Sequence, residues 1–407
     1  MPYSLVGVAP GKGSQGSRPS PAASARAGAF RRAGTGNETY WIFHPRPLPP
    51  APPLETAPLQ ELADRANQAL GRLDGITLLL PNPDQFLYSY IRKEAVLSAQ
   101  IEGTQSSLSE LLEYEHEDAP GIPRAEIAEP LNYVRALYHG LRRIEGGFPL
   151  SNRLLREIHA ILVDGARGRD QAPGEFRTSQ NWIGGSRPGN ARFVPPPPHE
   201  VGSAMSDLEK FLHDHPVATP VLLKAGLAHA QFETVHPFLD GNGRLGRLLV
   251  SLLLSGEGNV LSRPLLYLSL YLKQHRDEYY ERFQRVRTHG EWEEWVRFFL
   301  EGVIDVAGSA TETTRRLLAI VERDRQQIQT LGRAGASAAR LHDIATREIL
   351  FRIPEAARAL DSNEVTVGNA ARNLERLGIV RETTGRTRNK RFVYGDYLAV
   401  IEEGVTE

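Results

Sequence analysis

Within twelve consecutive residues, His236-Pro237-Phe238-Leu239-Asp240-Gly241-Asn242-Gly243-Arg244-Leu245-Gly246-Arg247, the chain gathers an imidazole, a carboxylate, two guanidinium groups and three glycines. Apolar-periodic segments flank this stretch, so it reads as a loop that runs into the first turn of a helix. Gly241 and Gly243 let the backbone come close to a ligand. The first-turn amides of a helix have no intrahelical partners and carry the positive end of its dipole, which makes an anion site. Asp240 can hold a divalent cation or simply cap the helix. Arg244 and Arg247 can reach the same phosphates or point into solvent. His236 titrates near neutrality and suits proton removal from a hydroxyl. Each residue alone has an ordinary structural reading, but together they are the parts needed for attack on a nucleotide phosphate.

The elements that must position this stretch are helices. Thr219 and Pro220 read as a cap followed by a first-turn proline. Val221, Ala225, Ala228, Phe232 and Val235 then repeat at helical spacing, and a second helix runs over 242–254. Earlier helices are expected over 54–73, after Asp84, through Leu131, Val134, Tyr138, Leu141 and Ile144, and over 154–163. Periodicity vanishes between Gly174 and Pro198, where Gly184-Gly185, Pro188-Gly189 and four prolines bracket a hairpin or flap. Helices return over 279–286, over 292–303 and as a polar helix to about residue 329.

Composition bounds the rest. The 407 residues are 41% hydrophobic and 24% charged, with 48 basic against 49 acidic side chains, which excludes a surface that grips nucleic acid throughout. Cysteine is absent, so disulfides, thiolate metal sites and a cysteine nucleophile are excluded. No apolar run is long enough to span a membrane, and no secretory signal is read, so a cytoplasmic protein is expected. Residues 1–37, rich in Gly, Ser, Ala, Pro and Arg, are expected to form a disordered leader. The remaining expected divisions are 38–125, a helical region; 126–303, a catalytic core; 304–334, a connecting helix; and 335–407, a C-terminal module.

The twelve-residue stretch resembles the signature of the Fic family: HPF, any residue, D or E, GNGR, two residues, R. Every position matches. The resemblance implies a mainly α fold with a small β-hairpin flap, and transfer of AMP from ATP to Ser, Thr or Tyr hydroxyls of a target protein. It assigns His236 the base role and Asp240 the Mg²⁺. Gly241, Asn242 and Gly243 take the α- and β-phosphates, Arg244 and Arg247 the outer ones, and Gly246 lies within the nucleotide-binding stretch. The related Doc kinases carry Lys where Gly243 stands, so the resemblance favours AMP transfer over phosphorylation. Upstream, Ser98-Ala99-Gln100-Ile101-Glu102-Gly103 is similar to the family's inhibitory motif, in which Glu102 would compete with the γ-phosphate for Arg247. Gly174-Glu175-Phe176-Arg177 with Trp182-Ile183-Gly184-Gly185 resembles the target-docking flap. Tyr279 and Tyr280 stand where relatives contact the adenosine, although they read equally as core aromatics. Arg287 replaces an Asn that holds the nucleotide in some relatives.

The C-terminal module reads as helix, turn, helix over 353–377, then strands at 379–381 and 391–394, the layout of a winged helix. Arg372, Arg376, Arg381, Arg386, Arg388, Lys390 and Arg391 make it basic, which suits DNA phosphates and equally suits protein contacts. The partners implied are a target protein and, as alternatives left open, a second copy of the chain or DNA. Two other activities stay open beside AMP transfer: a nucleotide-sensing DNA-binding regulator, and a hydrolase that removes AMP with Glu102 positioning water.

Overall fold

The computed structural model describes residues 24–35, 38–78, 83–116, 124–165, 171–257, 260–385 and 390–405. Two strands, β1 (Gly28–Ala33) and β2 (Tyr40–Pro45), come first. There follow α1 (Gln60–Thr77), α2 (Pro83–Ile101), α3 (Leu108–His116), α4 (Arg124–Glu145), α5 (Asn152–Leu162), α6 (Pro198–Leu212), α7 (Val221–Val235) and α8 (Asn242–Leu252). Next are α9 (Ser269–Gln274), α10 (Arg276–His289), α11 (Trp292–Gln329), α12 (Gly335–Glu348), β3 (Leu350–Arg352), α13 (Ile353–Ala359), α14 (Glu364–Arg376), β4 (Val380–Glu382), β5 (Arg391–Tyr394) and α15 (Gly395–Glu402). The fold is mainly α. Among the described residues no helix is long and apolar enough to cross a membrane.

The chain forms two compact units, with boundaries inside α1, α4, α9 and α11 and between α8 and α9. The first takes residues 1–67, 135–260 and 274–302. Its centre is α7, where every residue from Leu222 to Val235 is buried. A helix buried all round must have neighbours on every side, and α6, α8, α10 and β2 supply them. Gly226 permits the close approach of α11 as well. A Cβ there would lie 3.0 Å from the Phe299 ring, and Trp295 donates its indole N–H to the Gly226 carbonyl at 2.8 Å.

The second unit takes residues 68–134, 261–273 and 303–407. Here α2 packs against α3, α12 and α15, and Val96, Leu111, Ile127 and Val405 share one core. Lys93 donates to the Glu403 carbonyl at 2.6 Å, and burial lowers its ammonium to about 8. The C-terminal elements make an antiparallel sheet in the order β3-β5-β4 beside α12, α13 and α14. Asn363 caps α14, its side chain accepting the Thr366 N–H at 2.8 Å.

Several expectations are corrected. Part of the expected leader is a strand: β1 pairs antiparallel with β2, Phe30 opposite Phe43, and Ile42 and Phe43 of β2 are buried. Residues 1–23 and 36–37 of that leader lie outside the described residues. The helices expected over 292–303 and up to 329 are one continuous helix, α11. Pro220 is the cap of α7 and Thr219 makes no cap bond to it. Strand β3 and helices α12 and α15 were not anticipated, being short or rich in alanine.

Candidate active site

The twelve-residue stretch lies wholly in the first unit, where α7 ends and α8 begins. His236 stops α7 in the left-handed region, φ 48° and ψ 61°, its N–H still bonded to the Phe232 carbonyl at 2.9 Å. A non-glycine residue held there is strained, and strain of this kind clusters at functional sites. Gly241, at φ 75°, makes the turn into α8, and a Cβ at this position would meet Val163 at 3.2 Å.

The loop between is pinned from within. Asn242 accepts the Phe238 N–H at 2.9 Å and donates to the Phe238 carbonyl at 2.8 Å. Its side chain is thereby committed to the loop, leaving its backbone as the part that can face a phosphate. The Phe238 ring is buried and stacks on His159, centroids 3.8 Å apart. His159 accepts the Gly174 N–H on Nδ1 and meets the Asp240 carbonyl through Nε2 at 3.0 Å, so Nε2 carries the proton. Burial lowers this imidazole to about 4, which keeps it neutral.

Asp240 is partly exposed. One carboxylate oxygen accepts the Gly241 N–H at 2.7 Å, and the other lies 3.7 Å from the Arg244 guanidinium. Arg244 and Arg247 are both buried on α8. Buried guanidinium groups at a helix N-terminus concentrate positive charge where desolvation strengthens it. No group of three or more His, Cys, Asp or Glu able to hold a metal occurs among the described residues. Asp240 is the one carboxylate of the stretch, which fits an ion held chiefly by substrate phosphates.

Glu233, one turn before His236, is buried with a carboxylate oxygen 3.8 Å from Nδ1 of the base candidate. Gly246 leaves the room it needs: a Cβ there would sit 2.7 Å from Glu233 Oε1 and 3.2 Å from the His229 ring. His229 meets the Tyr279 hydroxyl at 2.8 Å and is lowered to about 3 by burial.

That contact corrects one expectation. Tyr279 is a core residue, packed with Phe283 and Trp295, and its hydroxyl is engaged by His229 rather than turned to an adenosine. Tyr280 is half-buried beside Arg276, 5.7 Å from its ring. The flap residues form a narrow hairpin. Ile183 bridges Phe193 antiparallel, Gly184 and Gly185 have φ of 69° and 73°, and Asn190 closes the tip by accepting from Ser186 and Arg187. Phe43 of β2 bonds to the Val194 carbonyl at 3.0 Å, so the early strands brace the flap.

Two arginines escaped sequence reasoning as site residues. Arg177 donates to the carbonyls of His236 at 2.9 Å and Pro196 at 2.5 Å, and burial lowers it to about 10. Arg287, lowered to about 9, donates to the Thr234 hydroxyl and the Glu233 carbonyl and covers the Phe193 ring at 3.7 Å. The inhibitory motif belongs to the second unit. Ser98 is buried on α2, Glu102 is half-buried past its end, and Gly103 terminates it with φ 92°.

A family model described as Fic/DOC family N-terminal matches residues 60–142, and one described as Fic/DOC family matches residues 149–254. The two matches lie side by side and leave the residues before 60 and after 254 outside them. The second match therefore spans the flap residues and the whole twelve-residue stretch. Among relatives, the chain is 31% identical over 191 residues to protein adenylyltransferase Fic of Drosophila erecta, across 45% of this chain and 34% of that protein. It is 36% identical over 134 residues to protein adenylyltransferase Fic of Aedes aegypti, across 31% and 23%. The chain thus spans about a third or less of these relatives. In fold it is similar to the solved structure of a Fic family protein from Desulfovibrio desulfuricans G20, with TM-score 0.55 and 20% identity over 84% of this chain and 97% of that one.

Proposed function

We propose that this protein transfers AMP from ATP to a Ser, Thr or Tyr hydroxyl of a target protein. The observation that carries the reading is His236, held in a left-handed turn immediately before the anion-binding first turn of α8. In the proposed reaction His236 removes the proton from the target hydroxyl. The hydroxyl oxygen then bonds to the α-phosphorus while the bond from that phosphorus to the bridging oxygen breaks, and pyrophosphate leaves with the electron pair. The backbone of Gly241, Asn242 and Gly243 holds the phosphates, and Arg244 and Arg247 balance their charge. Asp240 would hold a Mg²⁺ brought by the nucleotide, and the ion, when bound, neutralises charge on the departing pyrophosphate. The flap offers an edge on which an extended target segment can pair. Glu102, ending α2 at a motif similar to the family's inhibitory one, is proposed to hold the activity down.

Mass spectrometry after incubation with ATP and Mg²⁺ tests the reading. A Ser, Thr or Tyr carrying an AMP adduct, on the protein itself or a target, is expected. Release of free AMP from a modified protein without any transfer would support the hydrolase instead.

A further inference from the structure

The second unit carries a helix face that folding does not use. On α14, Val367, Ala370, Ala371 and Leu374 are buried, and the helix packs through α12, α13 and β4. The opposite face presents Val365, Asn369, Arg372 and Arg376, all exposed. At 100° per residue these four fall within a stripe about 60° wide, and at 1.5 Å per residue they extend over about 16 Å. Val365 is 73% exposed, one of few large apolar side chains left in solvent among the described residues. Arg372 donates to Asn369, and Arg376 donates to Asn373 at 2.7 Å, so the stripe is a row of guanidinium and amide groups standing on the helix. Glu364 and Glu375 lie about a quarter turn away and bound it on one side. Arg381 on β4 is exposed as well, and Arg358 is exposed on α13.

We propose that this face of α14 enters the major groove of double-stranded DNA. The groove is about 12 Å wide and admits one helix. The side chains suit base edges in order along it. A methyl-bearing Val365 at the N-terminal end can contact a thymine methyl, Asn369 can pair with adenine N6 and N7, and Arg372 can pair with guanine O6 and N7. Arg376, in the last turn, falls where a recognition helix leaves the groove and meets phosphate. The order α12-β3-α13-α14-β4-β5 is that of a winged helix, in which α13 crosses above the inserted helix and brings Arg358 towards the backbone. Other partners fit less well. The A-form major groove is too deep and narrow for a helix, which disfavours duplex RNA. A protein-binding helix would present an apolar row with aromatic anchors, whereas this stripe has one valine among polar donors. Of the basic residues singled out in the sequence, Arg391 is excluded because it turns inward, 3.7 Å from Glu113. Arg386 and Arg388 lie outside the described residues and form no part of the site.

The test uses the full chain. Binding partners are selected from a pool of random-sequence 30-bp duplexes, and affinity is then read by fluorescence anisotropy from 50 to 300 mM salt. A preferred duplex should emerge whose affinity falls steeply with salt. Arg372→Ala/Arg376→Ala should weaken binding, flatten the slope of log affinity against log salt by about 0.9 for the one phosphate that Arg376 meets, and relax the preference at the base pair that Arg372 reads. Val365→Ala and Asn369→Ala should leave the slope unchanged and relax the preference at single base pairs, for Asn369 by roughly 10-fold. All four side chains are exposed, and circular dichroism checks that the variants fold. No enriched sequence, equal binding by the double arginine variant, or equal affinity for a 30-bp RNA duplex would overturn the proposal. None of these outcomes bears on AMP transfer.

Discussion

Replacing Gly246 by alanine tests whether Glu233 orients the base. The added Cβ would lie 2.7 Å from Glu233 Oε1 and 3.2 Å from Cε1 and Nδ1 of His229. An ordinary carbon–oxygen contact needs at least about 0.5 Å more. His229 cannot give way, since its far nitrogen meets the Tyr279 hydroxyl at 2.8 Å inside a cluster of aromatic rings. The displacement therefore falls on the Glu233 carboxylate, which stands 3.8 Å from Nδ1 of His236. The hydrogen bonds of Arg287 to the Glu233 carbonyl and of Arg177 to the His236 carbonyl are not touched by the change. Overpacking costs about 1–3 kcal/mol, and alanine returns about 0.5–1 kcal/mol within a helix. The net loss of stability should be small, at most about 2.5 kcal/mol. The loss of rate should be large, because misplacing an aligned group by about 1 Å costs roughly 100-fold. Initial rates with α-labelled ATP, beside thermal melting, separate the two effects. Glu233→Gln should lower the rate and shift the acid limb of its pH profile, since the amide cannot stabilise an imidazolium. Gly71→Ala is the control: no atom lies within 4 Å of its Cβ, so that variant should be as active as the wild type and no less stable. Wild-type rates and pH profiles in both Gly246→Ala and Glu233→Gln would refute the orienting role.

The remaining expectations are simpler. His236→Ala should lower AMP transfer ~10²–10⁴-fold with ATP binding kept in a filter-binding assay, as loss of a general base does. Asp240→Ala should raise the Mg²⁺ concentration needed for half-maximal rate, and an unchanged titration would leave Asp240 as a loop residue alone. Glu102→Gly should raise the initial rate above wild type at saturating ATP, whereas equal rates would remove Glu102 from any inhibitory role. His229 titrates at 6.5 unperturbed and at about 3 in the fold, so the unfolded chain binds the extra proton between those values. Its contribution to stability is complete above pH 6.5 and is lost as pH falls towards 3, and the unfolding free energy from urea titrations should fall less steeply from pH 6 to 4 for His229→Gln, by about 1.4 kcal/mol per pH unit.

The twelve-residue stretch around His236 was legible as a loop entering a helix because its parts are local: turn glycines, a helix start and the charged groups lie within twelve residues. Periodicity also revealed α2, α7, α8 and α14, each of which has a buried face or body of apolar side chains. It could not reveal β1, whose exposed positions, Ala29, Arg31 and Arg32, do not alternate with buried ones. Nor could it tell that Tyr279 belongs to the core, since an aromatic on a helix serves a core or a ligand equally well until its neighbours are known. Arg177 and Arg287 show a deeper reason. Both bind main-chain carbonyls, which every residue has, so no pattern of side chains marks their partners. The need for them follows from the fold, in which α7 is buried along its length although it carries Lys224, His229, Gln231 and Glu233. Such a helix ends inside the protein, where its last carbonyls have neither water nor a following turn. The left-handed break at His236 takes the Phe232 carbonyl and leaves the next ones over. Arg287 reaches Glu233, and Arg177 reaches Val235 and His236. Each is buried at a cost that its hydrogen bonds offset. The same two guanidinium groups fix the backbone that carries His236, so the requirement of a buried helix end and the positioning of that imidazole are met by one pair of residues.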